Sequence, residues 1–146
     1  ILGDEAGGTY FGKIILKKYL HGKLSPGLSE EFSKQYHITR ESVIERVYSK
    51  PNANRYLASF AEFLLRRKNT LIMGGWIDEG LEEFYSTNIV EVKNYRTMPI
   101  HFVGSVAFHL RTEIEKMCAA KKLTLGKITQ KPIRGLTEYY SRKPNR

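Results

Sequence analysis

The chain has 146 residues, of which 41% are hydrophobic, and its formal net charge at pH 7 is +9. This length and apolar fraction suit one ordinary domain with a hydrophobic core, and the absence of a run of 18 apolar residues excludes a membrane-spanning helix. The single cysteine, Cys118, excludes an internal disulfide and favours a reducing compartment, so we expect a soluble globular protein of the cytoplasm.

The basic residues are spread along the chain and form no basic patch with interleaved aromatic residues. The runs 66–68 and 121–122 fit the last turns of helices, where positive charge complements the helix dipole. The positive charge therefore predicts solvated helix faces, and we expect neither a nucleic-acid partner nor a membrane partner.

The first half of the chain shows helical spacing of apolar residues. A first helix follows Thr9 and ends near Gly22, and Ser25 with Pro26 marks the start of a second. Thr39 is the expected N-cap of a third helix, and Asn54 of a fourth. The apolar residues assigned to these four helices are Phe11, Ile14, Ile15, Tyr19, Leu28, Phe32, Val43, Ile44, Val47, Leu57, Phe60, Ala61, Leu64 and Leu65.

A further helix is predicted from about Thr70 to Asn88, although Gly74 and Gly75 weaken that prediction. Its apolar stripe is assigned to Ile72, Trp76, Phe84 and Ile89, and Trp76 is interpreted as a core residue.

After Pro99 the periodicity changes. We predict a buried strand over Ile100–Val103, a tight turn at Gly104 and Ser105, and then one helix that carries Val106, Leu110, Ile114 and Met117. A second strand lies within 123–131, followed by a last helix over 133–140.

The predicted organisation is therefore 1–98 mostly helical, 99–140 strand–helix–strand–helix, and 141–146 a polar tail. A helix between two strands favours parallel pairing with a right-handed crossover. Because two strands make a poor sheet alone, we expect neighbouring strands in a segment before Ile1, which makes this chain the C-terminal part of a longer protein.

Three short segments could carry chemistry. Asp4 and Glu5 precede the first helix, where an acid can either cap the helix or present a carboxylate to a ligand; for Asp4 both interpretations stay open, and for Glu5 the structural one is favoured. The segment 7–14 nearly spells a phosphate-binding P-loop, but Ile14 stands where a hydroxyl would reach magnesium, so a P-loop is rejected. The strand–turn–helix segment 102–107 offers small residues that let backbone approach a nucleotide, or is a turn without a ligand.

Other catalytic patterns are absent from the sequence. The four histidines have no metal-ligand spacing and no cysteine partner, so we predict no metal site. Cys118 falls on an apolar helix position, where a packed thiol is favoured over a nucleophile. We therefore assign no catalytic residue to this chain.

Several segments, in this order, resemble one family. Gly3-Asp4-Glu5-Ala6-Gly7-Gly8 is similar to the Gly-Asp-Glu-Gly-Ser-Gly segment of the N-acetylglucosamine kinases and the BadF/BadG/BcrA/BcrD-type ATPases, and 102–107 resembles their late nucleotide-binding turn. The stretches 54–61 and 125–136 also resemble family segments. The resemblance implies membership of the actin, hexokinase and heat-shock ATPase superfamily.

The resemblance implies an α/β, predominantly helical chain that is most of the second of two ribonuclease H-like lobes. It implies an ATP- and magnesium-dependent kinase for an amino sugar such as N-acetylglucosamine, in which Asp4 contacts the sugar and Ala58, Gly104, Ser105 and Phe108 border the nucleotide. The phosphate loop and the catalytic base would lie in the other lobe, so the chain alone should be inactive. A homodimer is one option for its assembly.

The sequence departs from the family pattern at two positions, and two alternative functions stay open. Ala6 stands where the family has glycine, and Gly7 where it has serine. One alternative is an ATPase of the same fold that couples hydrolysis to a conformational change in a partner redox protein. Such activators carry an iron–sulfur cluster held by cysteines from two subunits, and the single Cys118 argues against this alternative. The other is a non-catalytic module whose basic surface binds an acidic partner or nucleic acid.

Overall fold

The computed structural model of the chain describes residues 3–133, which form a mainly helical α/β structure with a small parallel sheet. The chain divides into two compact units at the boundary between Phe84 and Tyr85. The first unit holds α1 (Gly8–Leu20), α2 (Pro26–Tyr36), α3 (Arg40–Tyr48), α4 (Ala53–Ser59), α5 (Ala61–Leu65) and α6 (Leu71–Phe84). The second holds a π-helical turn (Tyr85–Ile89), β1 (Ile100–Val103), α7 (Ser105–His109), α8 (Arg111–Ala120) and β2 (Leu125–Thr129).

The predicted starts of the second and third helices are confirmed. The Ser25 side chain accepts a hydrogen bond from the Leu28 backbone N–H at the start of α2. At α3 the Thr39 hydroxyl accepts from the Ser42 N–H at 3.2 Å, and the Ser42 hydroxyl oxygen accepts from the Thr39 N–H at 3.0 Å. These reciprocal bonds satisfy backbone donors that the first turn of a helix leaves unpaired.

The core of the first unit forms where α1 packs against α4 and α5. Gly12 lies at this contact: a Cβ built on it would stand 1.8 Å from the Leu57 carbonyl oxygen, so only glycine allows this approach. Phe32 of α2 is fully buried and its ring contacts four others. These are the rings of Tyr19, Tyr36, Phe60 and Phe63.

The predicted N-cap of the fourth helix is wrong. α4 begins at Ala53, and its N-cap is Asn52, which has φ of +63° and makes no side-chain capping bond. Asparagine tolerates this left-handed conformation better than most residues. Asn54 lies inside the helix, where its carbonyl accepts from the Thr9 hydroxyl at 3.3 Å. The helix is also interrupted at Phe60, which starts a second helical segment.

The apolar stripe predicted for this helix is only partly correct: Ile89, in the π-helical turn after α6, is buried, but the buried face within α6 differs from the predicted one. The buried residues are Met73, Ile77, Gly80 and Leu81, while the side chain of Ile72 is 57% exposed. Gly80 belongs to this face because Tyr10 and Phe11 occupy the space that a Cβ would take, at 2.7 Å and 2.8 Å. The positions of large apolar side chains alone therefore do not identify the buried face of α6, because a glycine forms part of it.

The interpretation of Trp76 as a core residue is also wrong. Its ring is only half-buried, and the ammonium nitrogen of Lys18 stands 5.1 Å from the ring centroid. A half-buried tryptophan ring can present one face to solvent, where a cation packs against it. Trp76 is therefore not part of the fully buried core.

The second unit confirms the parallel strand pair. Ile100 pairs with Leu125 and Phe102 with Ile128, with an irregularity in register between Ile100 and Phe102. At this irregularity the Nδ1 atom of His101 accepts a hydrogen bond from the Lys127 backbone N–H at 2.9 Å. A side chain thus supplies the acceptor that a regular ladder would have provided.

The connection between the strands contains two helices where the periodicity predicted one. α7 ends at His109, and α8 starts at Arg111. Leu110 lies between them and is 1% exposed, so the break keeps an apolar residue in the core beside Ile114 and Cys118. Apart from Ile133, the helix predicted over 133–140 and the tail 141–146 lie outside the described residues. None of the described helices is long and apolar enough to cross a membrane.

Candidate functional site

The segment before α1 is a tight turn. Gly3 has φ of +76° and Ala6 has φ of +53°, and the Gly7 N–H donates to the Asp4 carbonyl oxygen at 2.9 Å. Glycine would adopt the left-handed φ of Ala6 at lower cost than alanine. A Cβ on Gly7 would stand 2.8 Å from the Asp4 carbonyl oxygen, so a serine there would force this turn to shift.

The two carboxylate oxygens of Asp4 have different surroundings. Oδ1 accepts from the Nζ atom of Lys13 at 3.2 Å, and this pair is 21% exposed on the aspartate side and 37% on the lysine side. Oδ2 is the buried side-chain oxygen or nitrogen atom in residues 3–133 that has no hydrogen-bond partner. A buried acceptor without a donor costs free energy, roughly 1–3 kcal/mol for an ordinary polar group and more for a charged one.

Asp4 does not cap α1. The N-cap of this helix is Gly7, and no side chain donates or accepts at that position. Capping was one of the two interpretations that the sequence left open for Asp4, and the structure disfavours it. Oδ1 of Asp4 accepts a hydrogen bond from Lys13, whereas Oδ2 can still accept one from a donor such as a hydroxyl group.

The rejection of a P-loop is also consistent with the structure. A P-loop needs an open loop that surrounds phosphate with backbone N–H groups, whereas residues 8–13 form the start of α1. The lysine that would reach the phosphates, Lys13, pairs with Asp4 instead.

The second candidate segment is the turn after β1. Gly104 has φ of +125°, its N–H donates to the Thr129 carbonyl at 2.9 Å, and its own carbonyl accepts from the Phe108 N–H at 3.1 Å. No atom lies within 4 Å of the place that a Cβ on Gly104 would occupy. Ser105, the first residue of α7, is exposed. This open, small-residue turn is compatible with a ligand close to the backbone.

The remaining predicted nucleotide contacts are Phe108 and Ala58. Phe108 is 39% exposed, and the guanidinium carbon of Arg111 stands 5.7 Å from its ring centroid. Ala58 is half-buried in α4, next to Gly12 of α1. Gly104, Ser105 and Phe108 occur together in the second unit, whereas Asp4 and Ala58 belong to the first.

Lys13 is the residue that sequence reasoning missed. In the sequence it is recognisable only as the lysine of the rejected P-loop, and its separation of nine positions from Asp4 does not predict a contact between the two side chains. Only the fold of the turn onto α1 brings its ammonium group to the carboxylate.

The remaining features of the site are possible metal ligands and the thiol of Cys118. Within residues 3–133, no cluster of three histidine, cysteine, aspartate or glutamate side chains is suited to hold a metal ion. Cys118 is 2% exposed, and burial raises the pKa of its thiol, which favours the protonated, unreactive form. The described part of the chain therefore provides a carboxylate–ammonium pair and an open turn, and it provides no nucleophilic thiolate.

Comparison with known proteins finds similarity among solved structures. No family model matches the sequence, and no curated protein matches it. Among solved structures, the "Putative N-acetylglucosamine Kinase" from Porphyromonas gingivalis matches with a TM-score of 0.87 and 35% sequence identity. The match covers 96% of this chain and 49% of that protein, so this chain spans about half of its length.

The similarity supports a kinase-like family for this chain. At 35% identity over 96% of the chain it concerns sequence as well as backbone shape. The mainly helical structure with its small parallel sheet matches a part of that kinase-like fold.

Proposed function

We propose that this chain is part of an ATP-dependent sugar kinase whose acceptor is an amino sugar such as N-acetylglucosamine. The observation that carries the proposal is the buried Oδ2 of Asp4, which has no hydrogen-bond donor in the described structure. The similarity to a kinase-like protein over 96% of the chain supports it independently. In this proposal the chain is most of the second, ribonuclease H-like lobe, and the first lobe belongs to the same protein.

Asp4 would bind the sugar. A carboxylate oxygen accepts hydrogen bonds from hydroxyl groups, and such charge-assisted bonds are stronger than neutral ones. Lys13 holds Oδ1 at 3.2 Å, which orients the group and leaves Oδ2 for the ligand. Lys13 is therefore a positioning residue in this scheme, because it acts on the sugar only through Asp4.

The nucleotide would contact the open turn and its surroundings. ATP supplies the phosphoryl group that is transferred to the sugar. Gly104 and Ser105 would let the nucleotide approach the backbone, Phe108 would offer an exposed ring face, and Ala58 would contact it from α4. Magnesium would bind together with ATP, and the phosphate loop and the catalytic base would lie in the other lobe.

We also propose where the protein acts and what it binds. A kinase of this kind would act in the cytoplasm, where ATP is available and where a lone thiol such as Cys118 stays reduced. Its partners would be the sugar and ATP, and a homodimer is one arrangement to test by light scattering. The burial of Cys118, the chain's one cysteine, makes an iron–sulfur activator the weaker candidate.

Kinetics of the Asp4→Asn variant test the proposal. We expect the protein containing this chain to phosphorylate N-acetylglucosamine, and Asp4→Asn to lower kcat/KM for the sugar by about tenfold or more, because a charge-assisted hydrogen bond is weakened. The KM for ATP should stay within about twofold, since Asp4 is assigned to the sugar alone. Steady-state assays of ADP release measure both constants.

Glu5→Gln is the matched control, because it removes the neighbouring carboxylate, for which the sequence favours a structural role. An unchanged sugar KM and kcat in Asp4→Asn would remove Asp4 from the site. Absence of phosphorylation with every amino sugar tried would reject the kinase itself.

A further inference from the structure

A separate cleft lies between the end of α3 and the outer face of α4, in the first unit. Its volume is about 390 Å³, and its walls are Arg46, Pro51, Asn52, Arg55, Tyr56 and Ser59. Ala58, the residue assigned to the nucleotide, does not line it. The cleft is therefore a different place from the contacts considered above.

The charges of the cleft are unbalanced. Arg46 and Arg55 both line it, and no carboxylate does. Neither arginine takes part in an ion pair within the described part of the chain, whereas Arg66 and Arg67 pair with Glu62 and Glu31. Two guanidinium groups on one concave surface repel each other, and a bound anion would relieve that repulsion.

One of these arginines lies near the aromatic wall of the cleft. The guanidinium carbon of Arg46 stands 5.7 Å from the centroid of the Tyr56 ring, and Phe60 packs edge-on against that ring at 5.0 Å. The phenol of Tyr56 adds a neutral hydrogen-bond donor to the wall of the cleft. At this distance the guanidinium group of Arg46 is attracted to the face of the ring.

We propose that this cleft binds the phosphate group of a small organic phosphate monoester. Two arginines match the double negative charge of a phosphate, and the guanidinium fork fits its oxygens in pairs. The volume of about 390 Å³ exceeds what a bare phosphate fills, so the organic part of the ligand has room beside the aromatic wall. This binding role goes beyond the proposed kinase reaction and needs neither ATP nor amino sugar.

Isothermal titration calorimetry with the protein that contains this chain tests the proposal. The probes are glucose 6-phosphate, inorganic phosphate and uncharged glucose, in low-salt buffer without ATP. We expect glucose 6-phosphate to bind, inorganic phosphate to compete with it, and glucose to show no heat. Arg46→Gln and Arg55→Gln should each weaken binding about tenfold, because each removes a charge-assisted hydrogen-bond donor.

Lys17→Gln is the control, since it removes one positive charge from an exposed position of α1. All three residues are exposed, so the variants should fold, and circular dichroism checks this. Equal weakening in all three variants would mean that net charge attracts the anion, and it would overturn the proposal. Absence of binding by wild type would do the same.

One more variant separates this cleft from the proposed sugar site. If Asp4→Asn abolishes glucose 6-phosphate binding while Arg55→Gln leaves it intact, the ligand occupies the kinase site and the cleft proposal is wrong. The reverse result supports the cleft and leaves the kinase proposal to its own assay.

Discussion

At the scale of single residues, the backbone geometry around α1 imposes requirements that side-chain chemistry does not show. Gly12 is needed because the Leu57 carbonyl occupies the space of a side chain, and Gly7 because the Asp4 carbonyl lies close to it. Ala6 adopts a left-handed φ that glycine would adopt at lower cost. These small residues hold the turn in which one oxygen of Asp4 is left without a donor.

Gly12→Ala tests the close approach of α1 and α4. We expect it to lower the free energy of unfolding by about 1–3 kcal/mol, because the new methyl group collides with backbone that cannot rotate away. Urea denaturation measures the change. Gly75→Ala is the control: nothing lies within 4 Å of a Cβ there, and alanine should stabilise α6 by about 0.5–1 kcal/mol. Similar stability changes in both variants would contradict the packing argument.

At the scale of elements, local signals found most helices and missed their interruptions. Capping residues such as Ser25 and Thr39 act through bonds to nearby backbone, so they can be recognised from a few neighbouring residues. The breaks at Phe60 and Leu110 carry no such signal, since both residues are apolar and both are buried. There the chain changes direction to keep a large side chain in the core, which depends on distant partners.

The N-cap residue Thr39 and the helix-interior residue Asn54 provide a matched pair for testing. Thr39→Ala should destabilise the protein by about 0.5–2 kcal/mol, because the first turn of α3 loses its hydrogen-bond acceptor. Asn54→Ala should cost nothing, because this residue lies within α4 and its side chain caps no helix. Thermal and urea unfolding of both variants give the comparison. A larger loss in Asn54→Ala than in Thr39→Ala would restore Asn54 as a cap.

At the scale of the whole molecule, half-buried phenols link the stability of the fold to alkaline pH. Burial is the main cause that raises the pKa of Tyr10, Tyr36 and Tyr56, and for Tyr10 the Glu83 carboxylate, which accepts from its hydroxyl at 2.6 Å, raises it further. Above the ordinary tyrosine pKa of 10.0, the unfolded chain loses these protons while the folded chain keeps them. Stability should therefore fall as pH rises above that value.

Tyr10→Phe should make this alkaline loss of stability less steep, because one group with a raised folded pKa is removed. Each such group contributes at most about 1.4 kcal/mol per pH unit to the slope. Urea denaturation between about pH 8 and about pH 11 measures it. Glu83→Gln should give an intermediate slope, because the phenol stays while the neighbouring charge is lost. Identical slopes in wild type and Tyr10→Phe would contradict the assignment.

The sequence by itself determined the predominance of helix, the two strands with their parallel pairing, and the segments that resemble a kinase family. These features depend on hydrophobic period, capping residues and strand spacing, which act over a few residues along the chain. The expected roles of Ala58, Gly104, Ser105 and Phe108 stay predictions, and so does the role of Asp4 in sugar binding.

The tertiary structure alone decided which faces are buried and what each polar group contacts. It placed Gly80 rather than Trp76 in the buried face of α6, brought Lys13 to Asp4, and set Arg46 and Arg55 around one cleft without a carboxylate. These outcomes depend on which residues far apart in sequence pack together. Packing between distant residues is set by the fold as a whole, so no local pattern could have predicted it.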